Sequence, residues 1–156
     1  MTRGQPELFR GLAEEEIAEA LATGKRITVE KGSQLFGLGS DADHLYIIER
    51  GIVRLTLPMQ IRGRDEDIMV EERTPGQTVG WSALIPPYRF TLKATASMET
   101  DLIVLPREAL RSFLEARPAA GHTVMLNLAA VIGQRLQLFQ AMWLREMQRM
   151  VEQRCH

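Results

Sequence analysis

Residues 25–105 constrain the fold most, because they read as a succession of short strands. The runs KRITVEKG, HLYIIERG, VRLTLPMQI, DIMVEERTPG, FTLKATA and TDLIVLP each mix β-branched or aromatic residues with glycine or proline boundaries. Between two of them, Arg62-Gly63-Arg64-Asp65 has the outline of a hairpin tip. Many short strands at even spacing point to a sandwich, a barrel or a jelly roll.

The flanks are helical. Within residues 5–24, Leu12, Ile17 and Leu21 fall on roughly one helical face. Glu14, Glu15 and Glu16 lie early in that helix and suit the positive end of its dipole. Gly24 is placed as its C-terminal stop. Pro106 is placed in the first turn of a short helix, REALRSFLEA, and Pro118 opens a much longer one.

In that long segment the apolar residues Met125, Ala129, Ile132, Leu136, Phe139, Trp143, Met147 and Met150 recur at gaps of four and three, with one stutter after Trp143. A continuous helix over 118–154 would be about 55 Å long at 1.5 Å per residue. A body of this size cannot cover that length, and an exposed monomeric helix should avoid its methionines and tryptophan. The stripe therefore predicts a homodimer interface. Two parts are expected: residues 1–117, a β-roll with its N-terminal helix and a short following helix, and residues 118–156, a long dimerisation helix.

Composition excludes several classes. Of 156 residues, 45% are apolar and 25% charged, the balance of a globular domain with a sizeable core. A net charge of −1 gives no electrostatic footprint for nucleic acid. No window reaches the run of about 18 apolar residues that a membrane span needs. The N-terminus lacks a signal-peptide core, and the one cysteine, Cys155, cannot form an internal disulfide. A cytoplasmic protein is the default expectation. His44, His122 and His156 share no metal-ligand spacing, and the pair Cys155-His156 reads as a frayed tail, so no metal site is expected. No nucleophile–base constellation is visible, so catalysis is not expected either. Lys93 and Arg135, Arg145, Arg149 and Arg154 read as solvated faces.

The glycines carry a resemblance. In KGSQLFGLGSDADHLYIIERGIVRL, Gly32, Gly39 and Gly51 punctuate apolar positions Phe36, Tyr46, Ile48 and Val53, and Asp43 precedes the aromatic strand. With Pro75-Gly76-Gln77-Thr78-Val79-Gly80 and the two terminal helices, this order resembles the cyclic nucleotide-binding domain family, the effector domain of catabolite activator-type regulators. The resemblance implies an α+β, mainly β fold: an eight-stranded antiparallel β-roll of jelly-roll type between an N-terminal helix and a long C-terminal helix. It also implies a phosphate-binding cassette after a Gly-Glu pair, in which the glutamate accepts from the ribose 2′-hydroxyl and a later arginine pairs with the cyclic phosphate.

Over the candidate ligand residues Gly80, Trp81, Ser82, Ala83, Tyr88, Arg89, Phe90 and Thr91, the sequence departs from that pattern. Trp81 stands in the glutamate position, and an indole donates one hydrogen bond and accepts none. Counting back from Thr91-Leu92-Lys93-Ala94 puts Tyr88 in the arginine slot and Arg89 one place off. Either Arg89 points away, as strand alternation suggests, or the loop bends and brings it to the pocket. Cyclic AMP or cyclic GMP is the ligand the resemblance implies, and Trp81 argues against both. Two readings follow: a stand-alone regulatory module binding a small ligand, or a ligand-free module with a plugged pocket that acts on a protein partner. The chain stops about where a helix-turn-helix would begin, so direct DNA binding is not expected.

Overall fold

The computed structural model describes residues 4–155. Met1–Arg3 and His156 lie outside them, so the reading of the Cys155-His156 pair, and the outermost ends of the two expected parts, lie there too. The described residues form eight strands: β1 (Lys25–Val29), β2 (Gln34–Phe36), β3 (His44–Arg50), β4 (Val53–Ile61), β5 (Arg64–Arg73), β6 (Thr78–Val79), β7 (Lys93–Ala96) and β8 (Thr100–Pro106). Three α-helices flank them: α1 (Glu14–Ala22), α2 (Arg107–Ala116) and α3 (Pro118–Arg154). The strands make two four-stranded antiparallel sheets, in the orders β1-β8-β3-β6 and β2-β7-β4-β5. This is the α+β, mainly β roll that the sequence predicts.

Alternation explains the sheets locally. In β4, Val53 and Leu55 point into the core while Arg54 between them is exposed. Pro58 is tolerated in β4 because β7 pairs only as far as Thr56, leaving Pro58 on a free edge. The β4–β5 hairpin turns on two residues, Arg62 at φ 54° and Gly63 at φ 77°, with Ile61 opposite Arg64. Positive φ at both central positions is the turn that matches strand twist. Further along, Leu55 pairs with Glu71 and Thr56 with Met69, so Val70 is an extra residue, a bulge. Beyond the bulge, Glu71 and Arg73 share one face of β5, two residues apart.

Helix boundaries differ from expectation at two points. Leu12 precedes α1 rather than belonging to it, although it is buried with Ile17 against the same core. Upstream of it a 3₁₀ turn, Glu7–Phe9, buries Leu8 and Phe9 completely. Burial of two such side chains contributes about 1.5–3 kcal/mol each. Pro106 ends β8 and directly precedes α2, one residue short of its first turn. Gly24 does follow α1, but its role is close approach: a Cβ there would sit 2.5 Å from the Val104 carbonyl oxygen.

α3 runs unbroken for 37 residues. Its inner face buries Ala120, Val124, Leu128, Val131 and Arg135 against the body. The Asn127 side chain donates to the carbonyls of Leu8 and Arg10, both at 2.9 Å, and so fastens the N-terminal turn to the helix. Beyond Met142 every described residue is exposed.

Candidate ligand site

The cassette segment follows β6. Gly80, at φ 81°, opens a short 3₁₀ helix, Trp81–Leu84. A Cβ on Gly80 would lie 3.1 Å from the Phe90 ring and 3.3 Å from the His44 carbonyl oxygen, so both the left-handed backbone and the space call for glycine. The chain then turns back through Tyr88 to β7. Tyr88 sits at φ 59°, with the Arg107 guanidinium 4.4 Å from its ring centroid. That left-handed residue breaks the alternation of the segment. Arg89 comes out exposed, donating to the Gly39 carbonyl at 3.1 Å and lying 3.5 Å from Asp41.

Inside the roll, Phe90 is buried and stacks on Phe36 with ring centroids 3.7 Å apart and planes 10° apart. Tyr46 tilts against Phe36 at 5.8 Å, and its hydroxyl is pushed above the ordinary tyrosine pKa by burial. What remains is a cavity of about 20 Å³, room for about one water. The structure brings Gly80, Trp81, Ser82, Phe90 and Thr91 to its lining and leaves Ala83, Tyr88 and Arg89 off it. Ala83 is fully buried, whereas Tyr88 and Arg89 lie toward the outer surface.

An arginine does line the cavity, and it comes from α3. Arg135, read from sequence as part of a solvated face, is only 8% exposed, which corrects that reading. Its Nε donates to Glu71 Oε2 at 2.8 Å, and its guanidinium carbon lies 5.8 Å from the Trp81 ring centroid. Glu71 in turn accepts from Arg73 Nη1 at 2.9 Å. Arg73, almost wholly buried, donates through Nη2 to Glu7 and through Nε to the Thr78 carbonyl at 3.2 Å. Glu7 also accepts the Thr78 amide at 2.6 Å. Alternating charges thus run Glu7–Arg73–Glu71–Arg135 from the N-terminal turn through β5 to α3. Burial lowers the Arg135 pKa from its ordinary value; Glu71, by charge and hydrogen bond, and Glu7 oppose that, and Arg73 adds to it. Nothing local in the sequence marks this chain, since single links span 66 residues in Glu7–Arg73 and 64 in Glu71–Arg135.

The expected dimer stripe divides between two environments. Met125, Ala129, Leu136, Trp143, Met147 and Met150 are exposed, with Trp143 61% exposed. Ile132 and Phe139 are half-buried against the body's own core. A roomier hollow lies elsewhere, an open groove of about 1200 Å³ lined by Ile17, Leu21 and Ile103 among others. Its charges answer one another, Arg26 pairing with Glu49 at 3.0 Å and Arg50 lying 3.9 Å from Asp101. Its lining carries three arginines, Arg10, Arg26 and Arg50, and four carboxylates, Glu7, Glu14, Glu49 and Asp101. No group of three or more metal-ligating side chains occurs among the described residues, and no helix of theirs is long and apolar enough to cross a membrane.

Comparison with known proteins agrees with this architecture. Residues 26–117 match the family described as the cyclic nucleotide-binding domain. The chain is similar to the cyclic AMP receptor protein of Thermus thermophilus, 31% identical over 134 residues that make 86% of this chain and 58% of that one. It is also similar to Glutaminase 1 of Bradyrhizobium diazoefficiens, 30% identical over 83% of this chain and 20% of that protein. It therefore spans less than two thirds of either relative. Among solved structures, the N-terminal domain of a transcriptional regulator from Streptomyces coelicolor superposes with a TM-score of 0.68 at 27% identity, covering 84% of this chain and 89% of that one.

Proposed function

The chain belongs to the cyclic nucleotide-binding domain family, and from that premise we propose that it is a non-enzymatic, cytoplasmic regulatory module. It works as a homodimer joined through α3, and the mouth of its β-roll answers to a small ligand other than cyclic AMP or cyclic GMP. One observation carries this reading. Consecutive residues of α3 face the two places a sensor must connect: Arg135 reaches the cassette at Trp81, and Leu136 faces outward on the apolar stripe. A change at the cassette that moves the α3 backbone through Arg135 also moves the stripe.

Two features disfavour the nucleotide. Phe36 and Phe90 stack inside the roll, and Trp81 offers no acceptor for a ribose hydroxyl. Isothermal titration with cyclic AMP and cyclic GMP is expected to give no heat up to millimolar ligand. Saturable binding of either in the micromolar range would overturn this.

The dimer is tested separately. Sedimentation at micromolar concentration is expected to show a dimer, and Leu136→Glu with Trp143→Glu is expected to yield a folded monomer. An unmodified chain that stays monomeric well above micromolar concentration would remove the homodimer from this reading.

The filled interior also favours a second reading, a ligand-free module that contacts a protein partner through α3. A metabolite screen by thermal denaturation separates the two, because a ligand that binds the folded state raises the melting temperature by mass action. A screen in which nothing raises it favours the ligand-free module.

A further inference from the structure

The free end of α3 carries more apolar surface than one partner helix covers. Over 143–151 its apolar side chains are Trp143, Leu144, Met147, Met150 and Val151, between 37% and 61% exposed. At about 100° per residue they span an arc of about 120° of the helix. Arg145, Glu146, Gln148 and Arg149 fill the rest of the circumference. A two-stranded coiled coil needs only a narrow seam, here Trp143, Met147 and Met150, whereas a helix in a bundle adds a third apolar line beside it. Leu144 and Val151, seven residues apart, form that third line. Seven residues back from Leu144 the same line holds Gln137, so it begins where the helix leaves the body.

The charges beside this line fit a second copy of the same helix. Glu146 and Arg149 answer each other within the helix, 3.3 Å apart. Arg145 makes no ion pair with a described residue, and Glu152 accepts only from Gln148, at 3.4 Å. Each follows a member of the apolar line by one residue: Arg145 after Leu144, Glu152 after Val151. When two such helices run antiparallel with Leu144 opposite Val151, Arg145 of each chain faces Glu152 of the other. A parallel pair in register would set Arg145 against Arg145 and Glu152 against Glu152. The end of α3 is therefore self-complementary in one orientation, as a two-fold contact between identical surfaces requires.

We propose that the free ends of α3 join two homodimers tail to tail into a tetramer, the four helices packing as a bundle over 143–154. The proposal rests on the homodimer reading above. Trp143, Met147 and Met150 face the parallel partner within each dimer, and Leu144 and Val151 face an antiparallel helix of the other dimer. No described residue of the body shields these turns, so the two pairs of rolls sit at opposite ends of the bundle.

Sedimentation of the full chain from low micromolar to several hundred micromolar concentration tests this. A dimer at the low end and a tetramer at the high end are expected. Leu144→Glu and Val151→Glu alter exposed side chains, so both are expected to keep the helical circular dichroism and to stay dimeric at every concentration. Arg145→Glu is expected to weaken the dimer–tetramer step at least about threefold, because two exposed ion pairs become repulsions. Glu152→Arg is expected to weaken it similarly, and the two reversals together to restore it. A dimer that does not double at several hundred micromolar overturns the tetramer, leaves the homodimer standing, and assigns the third line to a helix of another protein. A monomeric Val151→Glu also overturns it, because the third line then belongs to the dimer seam. So does a tetramer that survives both glutamate substitutions, or a double charge reversal no better than either single one. A chain that stays monomeric throughout is instead the failure of the homodimer reading, and the tetramer falls with it.

Discussion

Truncating Phe90 to alanine is expected to destabilise the domain by about 3–5 kcal/mol, the usual cost of emptying a core aromatic site. In a domain of this length that is a fall in melting temperature of about 6–20 °C. The reason is where the ring sits. It is 5% exposed, lies flat on Phe36, and closes against Gly80, which has no side chain to fill the gap left behind. Tyr88→Ala, two residues earlier, removes a half-exposed ring whose main partner is the Arg107 guanidinium. It is expected to cost only about 0.5–1 kcal/mol. Urea denaturation of both variants measures the difference. A Phe90→Ala loss within 1 kcal/mol of the Tyr88→Ala loss would mean that Phe90 does not fill the roll. The same variant bears on the ligand. Opening the interior is not expected to create cyclic AMP binding, because Trp81 still lacks an acceptor and Arg89 still faces Asp41. Micromolar binding by Phe90→Ala would show that the aromatic filling alone keeps the nucleotide out.

The fold was legible where a period is long enough to repeat. β3, β4, β5 and β8 carry seven or more residues each, and the sequence patterns locate β3, β4 and β8 nearly to the residue, while β5 begins and ends three residues before the run DIMVEERTPG. β2 and β6 have three and two residues, too few for alternation to show, and they emerge only through their pairing with β7 and β3. α3 was legible as a continuous helix from its stripe and from Pro118 at its start. The site was legible only in part. Position along the chain brings Gly80, Trp81 and Ser82 together, and the sequence contains the Trp81 departure itself. It does not contain the direction of Arg89, because that depends on the left-handed backbone at Tyr88, a conformation that tertiary contacts impose on a residue with no local need for it. Nor does it announce Arg135. An arginine on a long polar helix reads as solvated, and its burial depends on a carboxylate in β5 that a bulge at Val70 sets on the same face as Arg73.

Arg73 is the residue on which that burial turns, and Arg73→Ala is expected to cost about 3–5 kcal/mol, the range for breaking a buried ion pair by removing one partner. Its side chain is 3% exposed and holds Glu7 and Glu71 together with the Thr78 carbonyl. Without it, Glu7 keeps the Thr78 amide and Glu71 keeps Arg135, but two carboxylates then face one guanidinium in a largely dry space. The cost should fall when a carboxylate is neutralised alongside. Glu7→Gln with Arg73→Met replaces the link by uncharged groups of similar volume, and it is expected to be clearly more stable than Arg73→Ala alone. The two Glu7–Arg73 substitutions should also be non-additive by roughly 0.5–3 kcal/mol, as members of one network are. Denaturant unfolding of the single and double variants measures this. Additive effects, or an Arg73→Ala loss below about 1 kcal/mol, the value of an exposed pair, would mean that the charges are merely adjacent. The consequence for α3 follows from the geometry. Glu71 is the link between Arg73 and Arg135, so loosening Arg73 frees Glu71 to follow either arginine. Amide exchange in α3 around Arg135 is expected to speed up in Arg73→Ala more than in Phe90→Ala at matched stability. The reverse order would place the hold on α3 in apolar packing at Val124, Leu128 and Val131 instead.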